Sequence, residues 1–135
     1  MPGAMGAAIV HPDRKVLAIA GDAGALMNIQ DLETAVRLGL RFVLMIWEDH
    51  EYGLIKWKQQ AEFGEHTDLA FSNPDWVMLA EAFGCKGILC RESAGLMAAL
   101  EEAFAAEGPA ILVLPIDYTE NLKLTERLGQ IACSL

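Results

Sequence analysis

The sequence predicts an α/β fold, a three-layer α/β/α domain on a mostly parallel sheet. Short apolar runs at Lys15 to Ala20, Arg41 to Trp47, Lys86 to Cys90 and Ala110 to Pro115 have the length and flanking turn signals of buried strands. Between them lie segments whose apolar residues recur at helical spacing. Strands that alternate with helices pair in parallel and are covered on both faces, so about four such strands give three layers. No internal repeat or low-complexity segment breaks the pattern.

Each element has its own signals. Met1 to Val10 is rich in Ala and Gly with Met5, Ala8 and Ile9 on one side, which predicts a tightly packed helix, and His11-Pro12-Asp13 predicts a turn. The chain therefore opens inside a helical pattern that ought to follow a strand, and we expect a domain cut short at its N-terminus. Ile29, Leu32, Ala35, Val36 and Leu38 predict one helix from Asn28 to Leu38, stopped by Gly39. Gly53 to Lys58 can begin a helix, but Gln59 to Ser72 is polar, contains Gly64 and His66, and lacks sustained periodicity. It reads as a long loop, and loops of that length in compact domains are often covers over ligands. Asn73 then reads as a cap and Pro74 as the start of a helix to Phe83, with Gly84 ending it. Ser93 to Ala106 carries the stripe Leu96, Ala99, Leu100 and Ala103 of another helix, and Gly108-Pro109 breaks it before the last strand. Asp117 to Leu135 has weak helical character.

Composition narrows the function. With 135 residues and 53% hydrophobic content, the chain is one domain able to bury about two-thirds of its unfolded surface. A net charge of −9 offers no basic stripe for nucleic acid. No apolar stretch approaches the roughly 20 residues that span a bilayer and no secretory signal pattern opens the chain, so no membrane is expected and the default location is cytoplasmic. Cys85, Cys90 and Cys133 form no CxxC pair and read as reduced, mostly buried thiols. Glu101, Glu102 and Glu107 read as solvated helix faces.

Two acids carry the chemistry. Asp22, in Gly21-Asp22-Ala23-Gly24, follows the first strand and opens a helical pattern, where free backbone N–H groups favour anions. Asp49, in Trp47-Glu48-Asp49-His50-Glu51-Tyr52-Gly53, follows the second strand. In a parallel sheet both fall at the carboxyl edge, the ligand edge of open α/β folds. Carboxylates there, with phosphate oxygens and water, form the hard oxygen shell that Mg2+ prefers, at roughly 2.0–2.1 Å. The pattern predicts a divalent-metal site for a diphosphate. By itself Gly-Asp-x-Gly is a weak signal, since an Asp at a helix start is most often a cap.

The surrounding residues add a resemblance. Gly21 to Gly24, then Asp49 in a Trp-x-Asp-x-x-Tyr setting, is similar to the metal and diphosphate motif of thiamine-diphosphate-dependent enzymes. Leu32 to Leu38, Tyr52 to Ile55, Leu79 to Gly84 and Pro115 to Asn121 resemble acetolactate synthases, most of all the catabolic, flavin-independent type. The likeness runs along nearly the whole chain. It implies the diphosphate-domain (ThDP-binding) fold, thiamine diphosphate and Mg2+ as cofactors, and metal ligation by the side chains of Asp22 and Asp49 and the backbone carbonyl of Glu51. It also implies that Ala23 and Gly24 donate backbone hydrogen bonds to the diphosphate and that Leu54 is the bulky residue that bends the cofactor. Tyr52, Gly53 and Ile55, like Gly21, would flank the cofactor. The family motif usually reads Gly-Asp-Gly, so Ala23 would be strained if its φ were positive.

The resemblance further implies that no catalytic residue lies in this chain. The family's glutamate sits in a separate pyrimidine-binding domain, and Glu33 and Glu51 are poor substitutes for it. We therefore expect a missing pyrimidine-binding domain or subunit as partner, a 2-oxo acid as substrate of the parent enzyme, a homo-oligomer, and an isolated chain that is inactive and prone to self-association. His50 reads as a solvent-facing neighbour of the metal site, His66 as a solvated loop residue, Trp47, Trp76 and Phe83 as core, and Trp57 as lining either a substrate cavity or an interface. Two alternatives stay open. One is another thiamine enzyme of the oxalyl-CoA, sulfopyruvate or benzoylformate type. The other is a non-enzymatic phosphate-binding module of flavodoxin-like shape, which would be expected to carry GxxxxGK[ST] or GxGxxG, and neither occurs.

Overall fold

The computed structural model describes residues 1–120. Its centre is a four-stranded parallel sheet in the order β1-β2-β4-β3, with β1 at Leu17–Gly21, β2 at Val43–Glu48, β3 at Lys86–Leu89 and β4 at Ala110–Pro115. The helices are α1 (Pro2–Val10), α2 (Asp22–Leu26), α3 (Leu32–Arg37), α4 (Gly53–Phe63), α5 (Trp76–Ala82) and α6 (Leu96–Phe104). Strands β2 and β4 hold the centre, and the unbroken apolar runs Val43 to Ile46 and Ala110 to Leu114 are buried throughout, as strands covered on both faces must be.

The layers follow from the direction of the crossovers. Connections β1 to β2 and β2 to β3 run one way across the sheet, and right-handed crossovers place α3 and α5 on the same face. There Leu32, Ala35, Trp76 and Ala80 pack on Leu44, Ile46, Ile111 and Val113, with Ala8 of α1 and Ala25 of α2. The return from β3 to β4 runs the other way, so α6 covers the opposite face, where Ala103, Leu96 and Leu100 pack with Val43, Met45, Leu112 and Leu114. The expected three-layer α/β/α domain is thus formed.

Several boundaries differ from the sequence reading. The helix expected over Asn28 to Leu38 is divided into α2, a 3-10 turn at Ile29–Asp31 and α3, because Asn28 takes a non-helical backbone (φ −146°, ψ 28°). The expected loop from Gln59 begins as helix instead, since α4 runs to Phe63. No residue of α4 is buried, so the helix lacks the apolar stripe that periodicity detects, while Lys, Gln, Ala and Glu are strong helix formers. Gly64, at φ +75°, closes it in the left-handed conformation that glycine adopts without strain. Helix α5 starts at Trp76 with Asp75 as its cap, the carboxylate accepting from Met78 N at 2.9 Å, and Asn73 is engaged elsewhere. Helix α6 is preceded by a 3-10 turn at Ser93–Gly95.

Cys85 is buried and free, and burial pushes its thiol up to about 11, which makes it inert; Cys90 is free and half-buried. Cys133, like most of the expected tail from Asp117 to Leu135, lies outside the described residues. Trp76 is core, as read, whereas Trp47 and Phe83 are only partly buried.

Close packing of α5 on β3 rests on Gly87. A Cβ there would lie 2.9 Å from both Cα and O of Val77, contacts that backbone cannot relieve by a rotamer change. Gly87→Ala is expected to destabilise the fold by about 1–3 kcal/mol in chemical denaturation, and an unchanged midpoint would contradict this packing.

Candidate cofactor site at the carboxyl edge of the sheet

Parallel pairing of β1 with β2 aligns Gly21 with Trp47, so the residues that follow the two strands emerge side by side. Asp22 opens α2, and Asp49 and Glu51 occupy the turn between β2 and α4. Helix α2 has only five residues, so little macrodipole stands behind the site.

Asp22 is the single buried charged residue among the described residues, 1% exposed. Its carboxylate is heavily hydrogen-bonded. Oδ1 accepts from Ala23 N at 2.8 Å, and Oδ2 accepts from Asp49 N at 3.2 Å, His50 N at 2.9 Å and Asn73 Nδ2 at 2.6 Å. Donors of this kind stabilise a carboxylate that water cannot reach. His50 is the only non-glycine residue with positive φ among those described, at +62°, a conformation that costs of order 1 kcal/mol or more. Its N–H to Asp22 and its carbonyl, which accepts from Phe71 N at 2.9 Å, hold it there.

A cleft of about 320 Å³ opens beside these groups, lined by Gly21, Asp22, Ala23, Asp49, Glu51, Gly53, Leu54, Trp57 and Tyr118. Of the residues expected around a cofactor, Gly24, Tyr52 and Ile55 lie off this wall: Tyr52 packs its ring on Phe71 at 5.1 Å, and Ile55 faces a separate groove with Phe63. Ala23 sits in α2 without positive φ, so the strain considered for it does not arise. The Glu51 side chain is taken up by Lys56 at 2.7 Å. Glu33 is on α3, exposed and paired with Arg37 at 3.0 Å, far from any role in the cleft. His50 is exposed, as read.

Residues 1–114 match the family model described as "Thiamine pyrophosphate enzyme, C-terminal TPP binding domain". The chain belongs to this family. This TPP-binding domain is 36% identical over 124 residues to an acetolactate synthase of Bacillus subtilis (strain 168), a match covering 92% of the chain and 22% of the relative. Against the catabolic acetolactate synthase of Raoultella terrigena it is 35% identical over 128 residues, 95% of the chain and 23% of the relative. Its fold resembles a solved thiamine diphosphate-dependent 4-hydroxybenzoylformate decarboxylase from Rhodococcus jostii RHA1, with a TM-score of 0.81, 28% identity, and coverage of 89% of this chain and 23% of that one. The chain thus spans 22 to 23% of the length of these relatives.

The residues of the TPP-binding domain suit a diphosphate with a hard cation. Asp22 and Asp49 line one cleft, and since the described residues contain no cluster of three His, Cys, Asp or Glu side chains that could hold a metal unaided, a cation there would need further oxygens from backbone and ligand. Gly53 leaves room at the same point, since a Cβ there would stand 2.9 Å from Asp49 Oδ2. Sequence reasoning missed Glu48, Asn73 and Tyr118. Asp117, held below its ordinary value by the hydroxyl and N–H of Thr119, shapes the turn after β4 that brings Tyr118 to the cleft. The Tyr118 hydroxyl is raised by burial, then by the charges of Asp49 and Asp22. Its advance signals were its place in the Pro115 to Asn121 motif and just after a strand end at the ligand edge.

Burial first, and then the neighbouring Asp22 charge, raise the Asp49 carboxyl above its ordinary 3.8. A raised carboxyl favours the folded state while protonated, so that contribution is present below pH 3.8 and is lost as pH rises through the folded-state value. In the metal-free chain at pH 7 the Asp22–Asp49 pair is therefore repulsive. Asp49→Asn is expected to raise the calorimetric Tm at pH 7 with chelator present, with the gain disappearing below pH 3.8. A lower Tm at pH 7 would contradict this electrostatic account.

Proposed function

We propose that the chain is the Mg2+ and thiamine diphosphate half-site of an acetolactate synthase-like enzyme, whose parent decarboxylates pyruvate and joins the product to a second pyruvate as 2-acetolactate. The observation that carries this reading is the placement of Asp22 and Asp49 at the ends of adjacent parallel strands, on one cleft, in a TPP-binding domain. The side chains of Asp22 and Asp49 and the carbonyl of Glu51 hold the Mg2+ ion. The Glu51 carboxylate, committed to Lys56, leaves its carbonyl as the natural donor. Backbone around Ala23 binds the diphosphate, and Leu54, exposed at the cleft, supplies the apolar wall. Thiamine diphosphate, when bound, supplies the carbanion chemistry that a 2-oxo acid requires.

The same reading makes the isolated chain inactive. Leu54 at the cleft, and Ile55 and Phe63 on the separate groove, leave α4 with exposed apolar side chains, 66%, 47% and 73% exposed. A surface of that kind fits a covering domain, here the pyrimidine-binding domain of the same or another subunit in a cytoplasmic homo-oligomer. No helix among the described residues is long and apolar enough to cross a membrane. The 4-hydroxybenzoylformate decarboxylase resemblance favours, as a second reading, a domain of another thiamine-dependent decarboxylase, with Leu54, Trp57 and Tyr118 as the residues this chain contributes to the substrate side.

Calorimetric titration of thiamine diphosphate into the folded chain tests the proposal. Binding is expected with Mg2+ and not with chelator, and Asp22→Asn abolishes it. Metal-independent binding, or none in a chain with a native circular dichroism spectrum, would overturn it.

A further inference from the structure

Residues 64–75, between α4 and α5, are no loose cover. Tyr52 N donates to Leu69 O at 3.1 Å, Phe71 N donates to His50 O at 2.9 Å, and Glu51 and Ala70 form an antiparallel bridge. The segment is a strap laid along the turn that carries Asp49 and Glu51. At its end Asn73 reaches inward. Its Nδ2 lies 2.6 Å from Asp22 Oδ2, 3.3 Å from Glu48 Oε1 and 3.3 Å from His50 Nδ1, and Glu48 Oε1 also accepts from Trp76 Nε1 at 3.0 Å. The Asn73 Oδ1 is buried without a partner.

An amide nitrogen has two protons, and here two carboxylate oxygens and the His50 ring nitrogen surround it at the cost of an unpaired oxygen, which a residue serving only as a turn or cap has no reason to bear. The geometry fits a different task. A carboxylate oxygen has about two lone pairs, and with Asn73 in place Oδ2 of Asp22 takes three donors while Oδ1 takes one. Oδ1 is therefore the oxygen left with capacity for a cation. Removing Asn73 would take away the shortest of the three donors to Oδ2, loosen the strap, and release the positive-φ turn at His50 that spaces Asp49 from Asp22.

We propose that Asn73 is a positioning residue for the cofactor site: it fastens the 64–75 strap to Asp22 and thereby fixes the turn geometry that is offered to a cation. This rests on the metal reading above. Outer residues that orient metal ligands typically change metal affinity by 10- to 100-fold.

The test compares Asn73→Ala with Asp75→Ala in the full 135-residue chain. Asp75→Ala removes the neighbouring α5 cap without touching Asp22, and so controls for loss of stability in the same segment. Two quantities are read: Mn2+ affinity by electron paramagnetic resonance with thiamine diphosphate present, and hydrogen exchange at the Asp49 and His50 amides in the metal-free chain. Asn73→Ala is expected to weaken Mn2+ by about tenfold or more and to speed exchange at those two amides while β4 stays protected. Asp75→Ala changes neither. If the alanine variant does not fold, Asn73→Ser takes its place. Unchanged exchange at Asp49 and His50, or Mn2+ affinity equal to that of the unsubstituted chain, would overturn the positioning role. Failure of the unsubstituted chain to bind Mn2+ would strike the metal reading instead, and amide exchange alone would then decide whether Asn73 clamps the turn.

Discussion

A buried carboxylate organises this domain. Asp22 is 1% exposed, and an ionised group so far from water persists only if the protein replaces its hydration. Four donors do so, from three stretches of the chain: the start of α2, two residues of the turn after β2, and the strap before α5. The carboxylate thus joins pieces that are 27 to 51 residues away in sequence. The parallel sheet makes the junction possible, because it delivers the ends of β1 and β2 to the same edge.

The proposed function follows from what that junction leaves over. The second acid, Asp49, is held near the first, and their mutual repulsion is a cost that a divalent cation would reverse. The strained conformation of His50 belongs to the same balance, since it is maintained by hydrogen bonds on both its N–H and its carbonyl. Local instability at a binding edge is tolerated because the sheet behind it, Val43 to Ile46 and Ala110 to Leu114, is wholly buried.

The strands were legible in sequence because their apolar runs are continuous and bounded by turn residues, and β4 was read residue for residue. The two acids were legible because each follows such a run. Helix α4 was legible only at its start, Gly53 to Lys58, and its run on to Phe63 was not, since a helix that buries nothing leaves no periodic trace. Asn73 looked like a helix cap because cap preference is local, whereas its partner Asp22 is 51 residues away. Tyr118 was quoted in a motif without a role, and only the turn at Asp117 and Thr119 brings it to the cleft. What sequence missed is what depends on long-range side-chain contact.

The most direct test of this account is a crystal structure of the chain with Mg2+ and thiamine diphosphate bound. The account predicts the cation on Oδ1 of Asp22, a carboxylate oxygen of Asp49 and the carbonyl of Glu51, with Oδ2 of Asp22 still accepting from Asp49 N, His50 N and Asn73. A diphosphate seated away from this edge, or a cation that leaves Asp22 untouched, would contradict it.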